Sequence, residues 1–211
     1  MPAMNSAPQY VMAAARLGLL LFSILLVACA RPALQPEEVV FTEAGMPENW
    51  LLDGRIGLQL PDRSWQAAIH WNQHGEDFEI SLRGPFGQGL GRVQKQGKDV
   101  VLTDGEGRTL RRSASELDHL VTEQLGVPVP IGSLRYWVLG RPRPGRSWRL
   151  LDSSQGRRQG FSQVGWDIRF DNWSSFDGRM LPARLTMRRD AVRLRLVLHE
   201  WAATSVEHGA E

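Results

Sequence analysis

Residues 55–71 read RIGLQLPDRSWQAAIHW. Apolar and polar residues alternate one by one on both sides of a turn at Pro61 and Asp62. Alternation with a period of two residues places the apolar side chains of a strand on one face, toward a core, and the polar side chains on the other face, toward water. The stretch therefore predicts a β-hairpin with one buried face. Its apolar positions are Ile56, Leu58 and Leu60 before the turn and Trp65, Ala67, Ile69 and Trp71 after it.

The same alternation recurs through most of the chain. Turn residues such as Gly75, Gly97 and the run 104–107 separate the apolar stretches. About ten or eleven short strands joined mostly by tight turns predict an antiparallel meander, either a sandwich or a curved, partly closed barrel. Beyond the first hairpin, strands are predicted over residues 78–82, 90–96, 99–103, 108–111, 148–151, 160–163, 164–170, 181–187 and 192–198.

Two helices are predicted to interrupt the strands. Ser113 and Glu116 form a capping-box pattern at the start of the first helix, and Gly126 ends it. Its apolar residues Leu117, Leu120, Val121 and Leu125 are spaced to share one face. The second helix spans 131–139 with Leu134, Trp137 and Val138 turned inward. We expect both helices to lie across one face or mouth of the sheet, although ordinary core packing is an equally simple explanation of their apolar faces.

The N-terminal region has the pattern of a secreted lipoprotein. An apolar run from Leu17 to Val27 follows Arg16 and is too short for the roughly 20 residues of a spanning helix. Leu26-Val27-Ala28-Cys29 has the form of a bacterial lipobox, in which the signal is cut before a cysteine that becomes acylated. Residues 1–28 are therefore predicted to be a signal peptide and Cys29 the lipidated N-terminus. An ordinary secreted protein with a stray cysteine, or a short membrane anchor, is the alternative.

Composition sets further limits on the mature chain. Residues 29–49 are predicted to be the acylated N-terminus and a tether, residues 50–202 a single domain, and residues 203–211 a polar tail. The chain has 25 basic and 23 acidic residues, so the near balance predicts no basic field and gives no argument for nucleic acid. Cys29 is the only cysteine, so the fold must be stable without a disulfide.

Catalytic and metal-binding motifs are not evident in the sequence. His70 and His74 have metal-ligand spacing only on a helix, because four residues of strand separate them by roughly 13 Å. The glycines from Gly84 to Gly91 do not match a phosphate-binding loop and are better suited to a hairpin turn. We therefore expect no enzymatic activity, cofactor or metal.

One predicted turn carries a large apolar residue. In Arg83-Gly-Pro-Phe-Gly-Gln88, Phe86 lies between Pro85 and Gly87. A phenylalanine at such a position commonly folds back onto the core. In so tight a turn it has little local surface to cover, so projection into solvent is the second possibility.

Two stretches of the sequence resemble the LolB family of outer-membrane lipoproteins. Residues 126–140, GVPVPIGSLRYWVLG, are similar to that family's signature Gly-x-Pro-x-Pro…Ser-Leu-Arg-x-Trp-x-Leu-Gly. Residues 83–87 resemble its loop of proline, a large apolar residue and glycine, where the family often has leucine in place of Phe86. The resemblance extends from about Trp50 to Trp201.

The resemblance implies a mainly β fold with helices: an incomplete antiparallel β-barrel of about 11 strands with a helical lid over an apolar cavity. In this interpretation the loop residues Pro85, Phe86 and Gly87 insert into the membrane. The cavity and lid residues are Leu117, Leu120, Val121, Leu134, Trp137 and Val138.

The resemblance also implies a function. The protein is expected to lie on the periplasmic face of the outer membrane. The residue after Cys29 is Ala30 and not aspartate, which under the lipoprotein sorting rule leaves the protein free to travel to the outer membrane. There it receives client lipoproteins from a LolA-like periplasmic carrier, holds their acyl chains and inserts them into the inner leaflet of the outer membrane. We expect a monomer with no nucleic-acid partner. The rival hypotheses are a structural or assembly lipoprotein that grips a protein partner on its concave sheet and, more distantly, an enzyme acting on lipid or glycan.

Overall fold

An antiparallel sheet of eleven strands forms the body of the protein in a computed structural model that describes residues 47–151 and 160–204. The strands are β1 (Asn49–Gln59), β2 (Ser64–His74), β3 (Asp77–Arg83), β4 (Gly89–Gln96), β5 (Asp99–Asp104), β6 (Thr109–Ser113), β7 (Trp148–Leu150), β8 (Gly160–Gln163), β9 (Trp166–Phe176), β10 (Arg179–Arg189) and β11 (Val192–Ala203).

The order of the strands shows how the sheet is assembled. It runs β6-β5-β4-β3-β2-β1-β11-β10-β9-β8-β7, so two meanders meet where β1 pairs with β11. Strands β6 and β7 form the two edges and do not pair with each other, which leaves the sheet open. The predicted fold class, a mainly β incomplete antiparallel barrel with helices, is confirmed.

Two helices lie between the edge strands in the chain. After a 3-10 turn at Ala114–Glu116 come α1 (Leu117–Leu125) and α2 (Ile131–Trp137). The Ser113 hydroxyl accepts a hydrogen bond from the Ser115 amide, and Gly126 ends α1 in the left-handed conformation with φ 74°. Gly126 is the stop that the sequence predicted, whereas Ser113 caps the 3-10 turn and α1 itself begins after Glu116 without a side-chain cap. Within the described ranges, neither helix has the length and apolar character needed to cross a bilayer.

The alternation along the strands divides the sheet into an inner and an outer face. Apolar side chains of the long strands β1, β2, β10 and β11 are buried on the inner face, where they pack with those of both helices in one core. The outer face carries the polar and charged residues. The helices therefore cover the inner face, as the interruption of the strands predicted.

Three predicted boundaries were wrong. Val164 belongs to the turn between β8 and β9, with φ 46°, and does not begin a strand. Helix α2 ends at Trp137, because Val138 to Gly140 form a turn. Ala203, expected to begin the polar tail, extends β11 and pairs with Trp50 on β1. The predicted signal peptide, Cys29, most of the tether and residues 205–211 lie outside the described residues.

Candidate functional site

An apolar cavity of about 210 Å³ lies between the inner face of the sheet and the two helices. Strands β1 to β5 and β11 supply one wall, and α1, α2 and the segment between them supply the other. The lining side chains are Ile56, Trp65, Ile69, Ile80, Leu82, Leu90, Arg92, Val93, Leu102, Thr103, Asp104, Val121, Gln124, Leu125, Val129, Ile131, Leu134 and Leu194, with Gly91 contributing backbone. Most of them are aliphatic, so this wall favours hydrocarbon over polar groups.

The mouth of the cavity is at one end of the strands. Leu90, Gly91 and Asp104 lie where β4 begins and β5 ends, and Leu125 lies at the C-terminus of α1. Leu90 is 43% exposed and forms part of the rim. At the opposite end, the rings of Trp50, Trp71 and Phe78 pack against one another, and Trp50 also borders a separate pocket of about 310 Å³ that is lined by charged residues such as Glu76 and Arg135.

Polar contacts hold α2 more firmly than α1, since the Arg135 guanidinium on α2 donates to the Gly75 carbonyl at 3.0 Å and to the Glu76 carboxylate. A carboxylate oxygen of Asp118 on α1 accepts a hydrogen bond of 3.1 Å from the Ile131 amide at the start of α2. Burial raises the pKa of Asp118 above its ordinary value, against the lowering effect of that hydrogen bond. The Arg63 guanidinium donates to the Leu125 carbonyl at 3.4 Å, and the Trp166 indole donates to the Pro128 carbonyl at 3.2 Å.

The structure distributes the six predicted cavity and lid residues over three environments. All six are buried. Val121 and Leu134 line the cavity, whereas Leu117 lines a separate, more polar pocket with Asp118 and Arg143.

The other three predicted lid residues, Leu120, Trp137 and Val138, belong to the packed core and do not line the cavity. The Trp137 indole donates a hydrogen bond of 2.9 Å to the buried side chain of Gln163 on β8. That bond fixes α2 to the sheet at a distance from the lining.

The Phe86 loop is a tight, internally bonded turn between β3 and β4. The Gly84 amide donates to the Gln88 carbonyl at 2.8 Å, and the Gly87 amide donates to the Gly84 carbonyl at 3.0 Å. The Gln88 side chain accepts from the Phe86 amide at 3.1 Å. Gly87 has φ 80°, a conformation that side chains with a Cβ rarely adopt.

The ring of Phe86 is 95% exposed and has no core to cover. The loop joins β3 to β4 directly beside Leu82 and Leu90, both of which line the cavity. The exposed ring and the cavity mouth therefore lie at the same end of the sheet.

The polar residues considered for catalysis or metal binding have structural explanations. His70 and Asp53 face each other across β1 and β2, with Nδ1 and Oδ1 2.8 Å apart. No group of three or more His, Cys, Asp or Glu able to hold a metal ion occurs in residues 47–151 and 160–204.

Reasoning from sequence alone missed the strand residues that line the cavity. Ile56, Ile69 and Leu194 look like every other inward residue in the alternating pattern. Of the eight tryptophans, all in described residues, Trp65 alone lines this cavity. A usable signal was the shift from tryptophan to smaller aliphatic residues toward one end of the strands.

Together these features define a class of protein: an open antiparallel sheet that, with two covering helices, encloses an apolar cavity with a single exposed aromatic tip beside its mouth. The family model described as outer membrane lipoprotein LolB matches residues 48–201. The chain belongs to the LolB family, which confirms the membership predicted from the signature at 126–140.

Individual relatives agree with the family assignment. An outer-membrane lipoprotein LolB from Chromohalobacter salexigens is 34% identical over 208 residues, covering 94% of this chain and 95% of its own. Another from Halorhodospira halophila is 32% identical over 189 residues, covering 87% and 92%. Among solved structures, a LolA superfamily protein from Nitrosomonas europaea covers 77% of this chain and 89% of its own, with a TM-score of 0.48 and 13% identity.

Proposed function

We propose that this protein accepts lipoproteins from a LolA-like periplasmic carrier, holds their acyl chains in the apolar cavity and inserts them into the outer membrane. The observation that carries the proposal is the position of the exposed Phe86 ring at the mouth of the cavity. An apolar tip beside an apolar mouth offers an acyl chain a continuous route from protein to bilayer.

The energetics of this route require no nucleotide. Each methylene transferred out of water is worth about 0.8 kcal/mol, so exposing a chain of about 15 methylenes costs on the order of 12 kcal/mol. Passing the chain directly from one apolar cavity to another avoids that exposure. A modest difference in affinity between carrier, acceptor and bilayer then sets the direction.

The cavity is small for its cargo. An apolar cavity of about 150 Å³ holds a molecule the size of benzene, so about 210 Å³ holds a segment of one acyl chain. We therefore propose that α1 moves outward when a client enters. The Arg63 guanidinium holds α1 with a 3.4 Å bond to the Leu125 carbonyl, whereas Trp137 fixes α2 to Gln163 at 2.9 Å.

The lining distinguishes the acceptor role from the rival role of gripping a protein. A bound peptide strand or helix needs partners for its polar groups, and this lining offers few. A hydrophobic fluorescent probe in the cavity should be displaced by fatty acid and not by unlipidated peptide. Leu90→Gln, a polar change at the half-exposed rim, should weaken binding of the probe without unfolding the domain.

The Phe86 loop provides the decisive test of delivery. Burying one phenylalanine is worth roughly 1.5 to 3 kcal/mol, which suffices to orient a protein already held at a surface. Phe86→Glu should fold and accept lipoprotein from the carrier but fail to deliver it to liposomes, whereas Phe86→Leu should deliver.

A matched control for the loop is Met180→Glu. Met180 is also apolar and 59% exposed, but it lies at the other end of the sheet. Normal delivery by Phe86→Glu, or equal loss with Met180→Glu, would contradict insertion by the loop. Unfolding of Phe86→Glu would make the ring a structural residue.

We also propose that Cys29 is the acylated N-terminus that anchors the protein to the outer membrane. This rests on the lipobox and on the outer-membrane lipoprotein family to which the chain belongs. Cys29→Ala should yield protein that no longer fractionates with outer membrane. Retention of that variant in the outer-membrane fraction would exclude the lipid anchor.

A further inference from the structure

We propose that the outer face of the sheet next to the Phe86 loop binds the headgroups of anionic phospholipids. The inference rests on the proposed insertion of that loop and adds the surface that lies against the bilayer. It concerns seven arginines, here named the arginine face: Arg55, Arg83, Arg169, Arg184, Arg188, Arg193 and Arg195.

The register of the strands assembles the arginine face. Arg83 on β3 lies opposite Ala68, which pairs with Arg55 on β1, and the row continues through Val197 to Arg184. At about 4.8 Å per strand, this first row spans roughly 19 Å.

Two further rows lie beside the first. The second runs from Gln66 through Gly57 to Arg195, then to Thr186 and Arg169. In the third row, Ser64 and Gln59 are followed by Arg193 and Arg188, which are direct cross-strand neighbours, and then by Asp167. Asp167 is the single acidic residue in the three rows of described residues.

Within the part of the chain that the structure describes, these guanidinium groups have no ion-pair partner. None of the seven takes part in an ion pair in residues 47–151 and 160–204. By contrast, Arg63 in the turn after β1 lies 3.8 Å from Asp62, and Arg189 at the end of β10 lies 3.9 Å from Asp190. The Nε of Arg193 is buried without a hydrogen-bond partner. Like charges placed opposite one another destabilise a sheet, so the arrangement is best explained by an external anion.

The occupant is identified by chemistry and by position. The guanidinium fork matches phosphate oxygens in a bidentate geometry. Gly84 and Pro85 of the Phe86 loop line a shallow depression together with Arg55, Gln66 and Ala68, so the loop and the arginine face are one continuous surface. A tip that enters the hydrocarbon would bring the nearest arginines to the depth of the phosphates.

Two acidic residues of the outer face lie among or beside the rows: Asp167, and Asp171, which accepts a hydrogen bond of 2.7 Å from the Thr186 hydroxyl. Three others lie toward the other end of the strands. Asp53 pairs with His70 and lies opposite Glu200, and Glu79 accepts a hydrogen bond from Gln94. The seven arginines outnumber the two carboxylates beside them, so the outer face is net basic near the loop and acidic away from it. This polarity would orient the loop end toward an anionic bilayer.

The test measures vesicle binding of the chain from residue 30 onward, which lacks Cys29 but keeps the sheet and both helices. Vesicles of phosphatidylcholine alone are compared with vesicles that also contain phosphatidylglycerol. Arg55→Gln with Arg184→Gln should lower the partition coefficient onto anionic vesicles about fivefold per arginine, or roughly 25-fold for the pair. Binding to neutral vesicles should not change.

The matched control removes two charges elsewhere. Arg111 and Arg112 on β6 are exposed and pair with Asp99 and Glu116, and the double glutamine variant should bind anionic vesicles nearly as well as the parent chain. Circular dichroism and thermal unfolding verify that both variants fold. Unchanged binding by Arg55→Gln with Arg184→Gln, or an equal loss in the control, would overturn the proposal.

The same assay separates this proposal from the role of the loop. Phe86→Glu should weaken binding to neutral and anionic vesicles alike, because it removes the apolar tip. If Phe86→Glu binds neutral vesicles like the parent while the arginine variant still loses its preference for anionic lipid, insertion fails and the arginine face stands. If the arginine variant loses affinity for the carrier protein and not for anionic vesicles, the face binds protein and the lipid proposal is wrong.

Discussion

The two ends of the interior are built differently, although the same strands run through both. At the closed end, the rings of Trp50 and Trp71 are 5.2 Å apart and those of Trp71 and Phe78 are 6.2 Å apart. At the mouth, Leu82, Leu90 and the partly buried Trp65 surround a cavity. Large rings in contact fill one end, while smaller aliphatic side chains leave space at the other.

The hydrogen bonds of the polar side chains also differ between the two ends. At the closed end, the buried Gln73 side chain accepts from the Trp71 indole at 2.9 Å and donates to the carbonyls of Gly75 and Asp77 at 2.8 and 3.0 Å. At the mouth, Gln88 only closes an exposed turn. The packed rings and the bonds of Gln73 supply stability at one end, and the aliphatic end retains space for a ligand.

The largest expected effect on stability is at the closed end. Trp71→Ala should lower the free energy of unfolding by about 3–5 kcal/mol, because it removes a fully buried ring and leaves a void between its neighbours. Urea unfolding measures the change. A cost below that of Trp65→Ala would contradict the assignment of the closed end as the stable one.

The second comparison uses the two glutamines. Gln73→Leu should cost about 2 kcal/mol, because the Trp71 indole and two carbonyls lose a buried hydrogen-bond partner. Gln88→Leu should change stability by no more than about 0.5 kcal/mol, since its single bond is exposed. Equal costs from urea unfolding would show that burial does not separate the two ends.

Trp65 tests the comparison of the two ends at the cavity. Trp65→Ala should cost about 1 kcal/mol or less, because the ring is partly exposed and already borders empty space. Binding of an acyl-chain probe should change by more than stability does. If this variant binds the probe like the parent and unfolds much more easily, Trp65 belongs to the core.

The smallest effect is expected where the two helices meet. Burial raises the pKa of Asp118 in the folded state above 3.8. The contribution of the protonated Asp118 carboxyl to the stability of the fold is therefore complete below pH 3.8, and it is lost as the pH rises through the raised pKa. Asp118→Asn keeps an oxygen for the Ile131 amide and has no charge to bury. The stability of this variant relative to the parent should rise with pH over that window.

Urea midpoints of both proteins, measured from below pH 3.8 to neutrality, isolate Asp118 because all other titrating groups are shared. A relative stability that does not change with pH would show that the carboxylate titrates normally. Asp118→Ala provides the complementary control, since it removes the acceptor and should loosen the start of α2 at every pH.

Local patterns in the sequence were sufficient for the elements of the fold. Alternation located the strands because a side chain's face in a strand depends only on its position in the pleat. Ser113 located the 3-10 turn before α1 and Gly126 the end of α1, because capping is decided by neighbouring residues. The exposed tip at Phe86 was among the sequence's two expectations, since a turn closed by Pro85 and Gly87 offers no local surface to cover the ring.

What the sequence determined, then, is which residues turn inward, where the helices start, and which family the chain belongs to through the signature at 126–140. Only the tertiary structure decided which inward residues fill the core and which line the cavity. Trp137 is held in the core by Gln163, 26 positions away in the chain, while Leu134 borders the cavity. It also gathered arginines from separate strands into one face of a nearly neutral chain. Packing and strand register join residues distant in sequence, and neither is contained in any local pattern or in the net charge.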